Sequence, residues 1–268
     1  MREEEIALMR VGFIGAGRMG APMVGRLVGA GHQVAVLART PQRHEAVREL
    51  GATPVGDITE VATEAVVLCV FTDEQVRDVC AGPLLAAMPT DATLIIHTTG
   101  SPRTAQAIAA QAPQIGVVDA PVSGGPHDIA AGRVTVFAGG AEDVVARVRP
   151  VLDSYAAPVL HMGPLGAGQG MKLVNNTMFA AQIGLVSEAV RMGARLSIDE
   201  TALLGALAHG SGASRALGMI ERAGSTERFI GAVGEFLSKD IAVVHRTLAD
   251  LGFPLGAVEA VVNAGVPD

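Results

Sequence analysis

Lys172 and Asn176, four residues apart in the stretch GPLGAGQGMKLVNN that runs from Gly163 to Asn176, could move a proton and orient an oxygen. On a helix that spacing puts both side chains on one side. An ammonium at an otherwise apolar helix start must pair, extend its tip to water or lose its charge more readily. Desolvation and a nearby cation would both help Lys172 release its proton near neutral pH, as exchange with a substrate hydroxyl requires. Periodicity alone leaves a solvated lysine equally open. A second stretch, DAPVSGG from Asp119 to Gly125, leaves an apolar run in a turn of small residues. The amides of Ser123, Gly124 and Gly125, with the Ser123 hydroxyl, could hold a carboxylate. A plain Gly-rich loop is the alternative.

The third stretch is VGFIGAGRMG, Val11 to Gly20, with glycines at G-x-G-x-x-G spacing. Gly15 suits the tight turn, Gly17 lets a diphosphate approach the main chain, and Gly20 lets the helix pack close to the strand. The intervening Ala16, Arg18 and Met19 belong to the same cofactor-binding turn. A chain with 33 glycines produces such triplets by chance, so the surrounding elements decide. A strand precedes the triplet, an amphipathic run from Met19 to Ala30 follows and stops at Gly31, and a second strand covers Gln33 to Leu37. That order is a dinucleotide fingerprint. About 20 residues past the glycines a ribose-binding carboxylate is expected, but the chain reads Ala38, Arg39, Thr40. Arg39 and Thr40 suit a 2'-phosphate, favouring NADP with NAD possible, and Arg43 adds charge. A solvated arginine opening a loop is the plain alternative.

Further along, Gln42–Leu50 reads as a helix, Ala52–Val55 as a short strand, and Ala65–Val70 as a strand covered on both faces. Thr72, just beyond it, is a candidate cofactor contact. Leu94–Ile96 is the next strand, followed by His97, Thr98 and Thr99, with Ser101 and Pro102 opening a helix. Thr98 and Thr99 are expected beside the nicotinamide; His97, without an identifiable partner, reads as structural. Strands at Val117–Ala120, Val134–Ala138 and Val159–His161, with a helix at Val145–Leu152, complete the alternation. Beyond Gly163 only helical periodicity remains, at Gly170–Ala194, Ile198–Ala208, Ser214–Ala223 and Leu237–Leu251. The expected fold is an α/β Rossmann domain with a doubly wound, mostly parallel sheet over 1–164, then an all-α domain over 165–268.

The totals exclude several classes. Twenty Lys plus Arg against 27 Asp plus Glu give a charge of -7, and no basic run offers a track for nucleic acid. With 49% hydrophobic and 18% charged residues the chain can bury a sizeable core. Cys69 and Cys80 make no disulfide framework or metal-ligand pattern, so no metal is expected and a reducing cytoplasmic setting is. The acidic opening MREEEIALMR lacks signal-peptide features, and no apolar run reaches the roughly 18 residues of a membrane span.

VGFIGAGRMG, DAPVSGG, GAGQGMKLVNN and FLSKDI at Phe236–Ile241 occur in the same order as in the β-hydroxyacid dehydrogenase family, which the chain resembles from about residue 10 to 262. This family includes enzymes of the 3-hydroxyisobutyrate dehydrogenase and glyoxylate/succinic semialdehyde reductase type. The resemblance implies hydride transfer between NADP(H) and a small β-hydroxy acid or its semialdehyde. Under it, Lys172 is the catalytic lysine, Asn176 orients the substrate, and Ser123, Gly124 and Gly125 hold its carboxylate. Lys239 lines the cleft near substrate and cofactor, where a surface pair with Asp240 is the alternative, and Thr99 contacts the nicotinamide side. A homodimer or homotetramer is implied, with the helical domain over 165–268 serving substrate and dimer contacts. The chain departs from the pattern at His97, where the family often has Asp, at Pro126 and His127 after the SGG turn, and in a shorter C-terminal tail. Imine reduction on the same scaffold, disfavoured by Lys172, and a catalytically silent dinucleotide-binding protein, disfavoured by the Lys172 and Asn176 pair, are the competing readings.

Overall fold

A computed structural model of the chain describes residues 8–266, so most of MREEEIALMR lies outside the described residues. Among the described residues nine strands form one sheet: β1 (Arg10–Ile14), β2 (Gln33–Leu37), β3 (Thr53–Val55), β4 (Ala65–Leu68), β5 (Thr93–Ile96), β6 (Gly116–Asp119), β7 (Val122–Ser123), β8 (Val134–Gly139) and β9 (Ala156–Gly163). Their order is β3-β2-β1-β4-β5-β6-β8-β7, with β9 also on β8. The first six run parallel in the arrangement of a dinucleotide-binding sheet. β8 then joins β6 and β7 antiparallel.

Alternation along the central strands explains why their sequences are apolar throughout. Val11, Phe13, Ala65, Val67 and Ile95 enter a core on one face, whereas Ile14, Val66, Leu68, Leu94 and Ile96 enter a core on the other. A parallel sheet covered by helices on both sides needs no polar face. Because the parallel strands share a direction, their carboxyl ends bring Gly15, Val70, His97–Gly100 and Asp119–Ser123 to one edge of the sheet.

The described residues divide into two units, one ending at Lys172 and one beginning at Leu173. The 29-residue helix Ala167–Arg195 therefore starts within the first unit, beyond the expected division at 164/165, because its opening amides are bonded to Asp119 of β6. The second unit is helical, with Glu200–His209, Arg215–Ala223, Thr226–Asp250 and Glu259–Ala264 around Leu173, Ile183, Leu217, Phe229 and Ile241. Gly184 and Gly265 meet there without side chains between them. A methyl on the first would collide with the Val261 carbonyl, and one on the second with the Ala180 carbonyl.

Two expectations are corrected. The helix read over Val145–Leu152 is two pieces, Glu142–Arg147 and Arg149–Asp153, since Pro150 lacks the N–H needed to continue the first. The helix read from Leu237 begins at Thr226, capped by the Ser225 hydroxyl. Gly231 and Gly234 weaken its helical signal. β7 carried no sequence signal because two residues cannot show a period. Among the described residues no helix is long and apolar enough to cross a membrane.

Candidate active site

The glycine turn follows β1 as its spacing requires. Gly15 has φ +98°, and a Cβ there would collide with the Cys69 carbonyl. One on Gly20 would meet the Gly15 carbonyl, whereas one on Gly17 would meet nothing within 4 Å. The main chain is thus packed tightly on its inner side and open at the middle glycine. Helix Gly20–Gly29 begins with no side-chain cap and no acidic residue in its first turn. A phosphate is well suited to that position.

Beside Gly15 lies a cavity of about 680 Å³ that Arg39, Thr40 and Arg43 also line, so the structure brings these sequence-predicted residues together. Its apolar wall includes Leu37, Ile58, Val70 and Val79, and Gln75 and Asp78 add polar groups. Thr40 also caps helix Pro41–Glu49, accepting from the Arg43 amide at 3.3 Å. Thr72 serves as N-cap of helix Asp73–Ala81, with its hydroxyl accepting from the Gln75 amide while Gln75 Oε1 accepts from the Thr72 amide. Gln75, not Thr72, lines the cavity. Ile58, Gln75 and Val79 escaped the sequence reading; only the T-x-x-Q capping spacing hinted at the link from Thr72 to Gln75. Open backbone at Gly17, an uncapped helix start and a basic, apolar-walled cavity together fit a nicotinamide dinucleotide.

The ends of β5 and β6 are joined by buried polar side chains. The His97 Nδ1–H donates to the Ala120 carbonyl, which can only accept, so Nε2 must accept from the Tyr155 hydroxyl at 2.8 Å. Both rings are buried. Burial pulls the His97 pKa down to about 4, against the smaller raising effect of the Ala120 bond, so the ring is neutral near pH 7. Burial also holds Tyr155 well above its usual range, with the negative charge that Cys69 carries once ionised adding to it. Both ring nitrogens of His97 are thus taken up inside the protein. Thr98 fixes its hydroxyl against the main chain of Val70, accepting at 3.0 Å and donating at 2.9 Å. Thr99 next to it is buried.

Asp119 anchors the start of the long helix. Its carboxylate accepts from the amides of Gly166 at 2.7 Å and Gln169 at 2.6 Å. Burial raises its pKa, and the amides of Gly166, Gln169 and Gly168 partly offset the rise. The Gln169 side chain, only 2% exposed, donates to the Thr98 carbonyl at 2.7 Å and accepts from the Gly100 amide at 3.0 Å. Half-buried Lys172 follows one turn later.

The SGG turn begins on β7, where Ser123 pairs with Thr135 of β8. Gly124 has φ +133°, a conformation that favours glycine. The Gly125 amide donates to Asp128 at 2.8 Å, so it is spent inside the turn and not offered outwards as the sequence suggested. Ser123 and Gly124 remain as candidates. In the second unit, buried Asn176 donates from Nδ2 to Asp240 Oδ2 at 2.6 Å and accepts from Asn175 at 3.1 Å. Lys239 pairs with the other oxygen of Asp240 at 2.9 Å. Asp240 thus links the two candidate substrate residues of that unit, Asn176 and Lys239.

Residues 10–163 match the family model described as the NAD binding domain of 6-phosphogluconate dehydrogenase. Residues 166–264 match the one described as NAD-binding of NADP-dependent 3-hydroxyisobutyrate dehydrogenase. The chain is 30% identical over 264 residues to a 3-hydroxyisobutyrate dehydrogenase of Pseudomonas aeruginosa, covering 92% of this chain and 89% of the relative. It is 33% identical over 215 residues to a 2-hydroxy-3-oxopropionate reductase of Escherichia coli, covering 78% and 73%. A solved Mycobacterium tuberculosis 3-hydroxyisobutyrate dehydrogenase with L-serine superposes with a TM-score of 0.86 at 27% identity, over 96% of this chain and 92% of that one. With both parts of the chain matched in order and its glycine turn built for a dinucleotide, the chain belongs to the β-hydroxyacid dehydrogenase family of NAD(P)-dependent oxidoreductases acting on CH–OH groups.

Proposed function

We propose that this chain transfers a hydride between NADP(H) and a small β-hydroxy acid or its semialdehyde, in the manner of 3-hydroxyisobutyrate dehydrogenase. The observation that carries the reading is the shared anchor at Asp119. One carboxylate ends the strand that leads to Ser123 and also bonds the first amides of the helix that bears Lys172. A carboxylate holder and a proton donor fixed to one point suit a substrate that carries a carboxylate near its reacting oxygen.

A bound nicotinamide supplies or accepts the hydride. Lys172 gives a proton to the carbonyl oxygen during reduction and takes it from the hydroxyl during oxidation. Ser123 and Gly124 bind the substrate carboxylate, Asn176 and Lys239 orient the substrate, and Thr99 faces the nicotinamide. Arg39, Thr40 and Arg43, gathered on one cavity, support NADP as the preferred cofactor. The reading assigns cofactor binding and the substrate carboxylate to the first domain, and further substrate contacts and self-association to the helical one. Exposed Val174, Met178, Leu185 and Met192 fall on one face of helix Ala167–Arg195, which supports a homodimer or homotetramer. Cys69 and Cys80, both thiols, suit a reducing cytoplasm.

The test is consumption of NADPH, and of NADH for comparison, with glyoxylate, succinic semialdehyde, tartronate semialdehyde and methylmalonate semialdehyde, and the reverse reaction with 3-hydroxyisobutyrate and L-serine. Turnover on a carboxylate-bearing aldehyde, faster with NADPH, is expected. Turnover with none of these compounds would overturn the reading.

A further inference from the structure

Gln169 has an unusual set of partners for a residue at a helix start. Its side-chain amide bonds the main chain on both sides of Thr99, donating to the carbonyl of Thr98 and accepting from the amide of Gly100. Its own backbone amide is held by Asp119. Neither Thr98 nor Gly100 is exposed, so water cannot replace a lost partner cheaply. Lys172 lies three residues on, one turn along and on a neighbouring strip of the helix surface. Rotation or slippage of the first turn that would carry Lys172 away therefore has to break the two bonds to the Thr99 segment as well.

We propose that Gln169 is a positioning residue, its side-chain amide locking the Thr99 segment to the helix turn that bears Lys172 so that proton donor and nicotinamide-side wall are held as one piece. The proposal rests on the roles of Lys172 and Thr99 given above. The requirement is chemical as well as steric, since the side chain must donate to one group and accept from the other at the same time. Glutamine does this in its only protonation state. Glutamate does it only when protonated, because an ionised carboxylate turns a lone pair towards the Thr98 carbonyl. Methionine, of similar length, does neither.

Gln169→Met and Gln169→Glu are compared with the parent for kcat, KM for NADPH and thermal midpoint between pH 6 and pH 8.5. Gln169→Met is expected to lose at least tenfold in kcat at every pH, with KM for NADPH within twofold of the parent. Desolvation at this buried position keeps the carboxyl of Gln169→Glu protonated towards neutral pH, so this variant is expected to exceed Gln169→Met at least fivefold in kcat at pH 6. Native kcat in Gln169→Met, a fall in thermal midpoint without a fall in kcat, or equal kcat for the two variants at every pH would overturn the proposal. Lys172→Ala run beside them separates the two levels. Full turnover by that variant sinks the underlying reading, whereas an inactive Lys172→Ala beside a fully active Gln169→Met sinks the clamp alone.

Discussion

Replacing His97 with asparagine should flatten the acid limb of the stability curve while lowering stability at neutral pH. In the folded chain the His97 ring donates to Ala120 and accepts from Tyr155 in a site where His97 is 3% exposed and Tyr155 is fully buried. The unfolded chain takes up a proton at this histidine near pH 6.5, but the folded chain refuses it until about pH 4. A depressed histidine pKa stabilises the fold fully above the unfolded value, and that contribution drains away as pH falls towards the folded value. Between pH 7 and pH 4 the loss at this one group amounts to about 3 kcal/mol. His32, also lowered by burial, drains stability in the same direction, but it does so equally in parent and variant. Asparagine can keep the donor to Ala120 and cannot charge; it leaves the Tyr155 hydroxyl unpaired, at a cost of about 1–3 kcal/mol at pH 7. Tyr155 is the sole tyrosine and the chain has no tryptophan, so its emission follows urea unfolding at the site itself. The two free-energy curves should converge as the pH is lowered. Parallel curves from pH 7 to pH 4 would refute the reasoning, because they would mean that the folded and unfolded histidine take up the proton alike.

Lys172→Ala should lower kcat by about 10²- to 10⁴-fold while NADPH affinity stays within a few fold, and normal turnover would remove the lysine from the chemistry. Arg39→Asp should shift the ratio of kcat/KM for NADPH over NADH by about ten- to a hundredfold towards NADH, since the variant loses a cation for a 2'-phosphate and gains an acceptor for a ribose hydroxyl. An unchanged ratio in steady-state assays would refute that role. Asp119→Asn should cost about 1–3 kcal/mol of stability, the penalty of one unsatisfied amide, because burial already opposes the charge of Asp119. Equal or higher stability in denaturant titration would show that the anchor does not depend on two acceptor oxygens.

Much of the first unit was legible because its strands are apolar on both faces. Gln33–Leu37 is read residue for residue, and the glycine turn behaves as its spacing demands, since three small positions at fixed offsets leave few alternatives. What escaped depends on groups far apart in the chain. His97 and Tyr155 stand 58 residues apart, and Gln169 reaches back 71 residues to Thr98, so no local pattern announces either bond. A glutamine at a helix start reads as solvated by default, and here it is buried. The SGG turn was overcounted for a local reason that could have been seen: Asp128 lies three residues past Gly125, at capping distance from the amide it occupies.

The meeting of Gly184 with Gly265 has a bearing on how the helical unit can vary. Where side chains separate two segments, a change of shape on one can be met by a change on the other, and the gap adjusts by fractions of a methyl group. At this junction main chain rests on main chain, so the spacing is fixed by the radii of peptide atoms and no partner residue can compensate. The end of the last described helix is therefore tied to the middle of the longest one at a point where even alanine is too large, and any substitution in this chain must work around it.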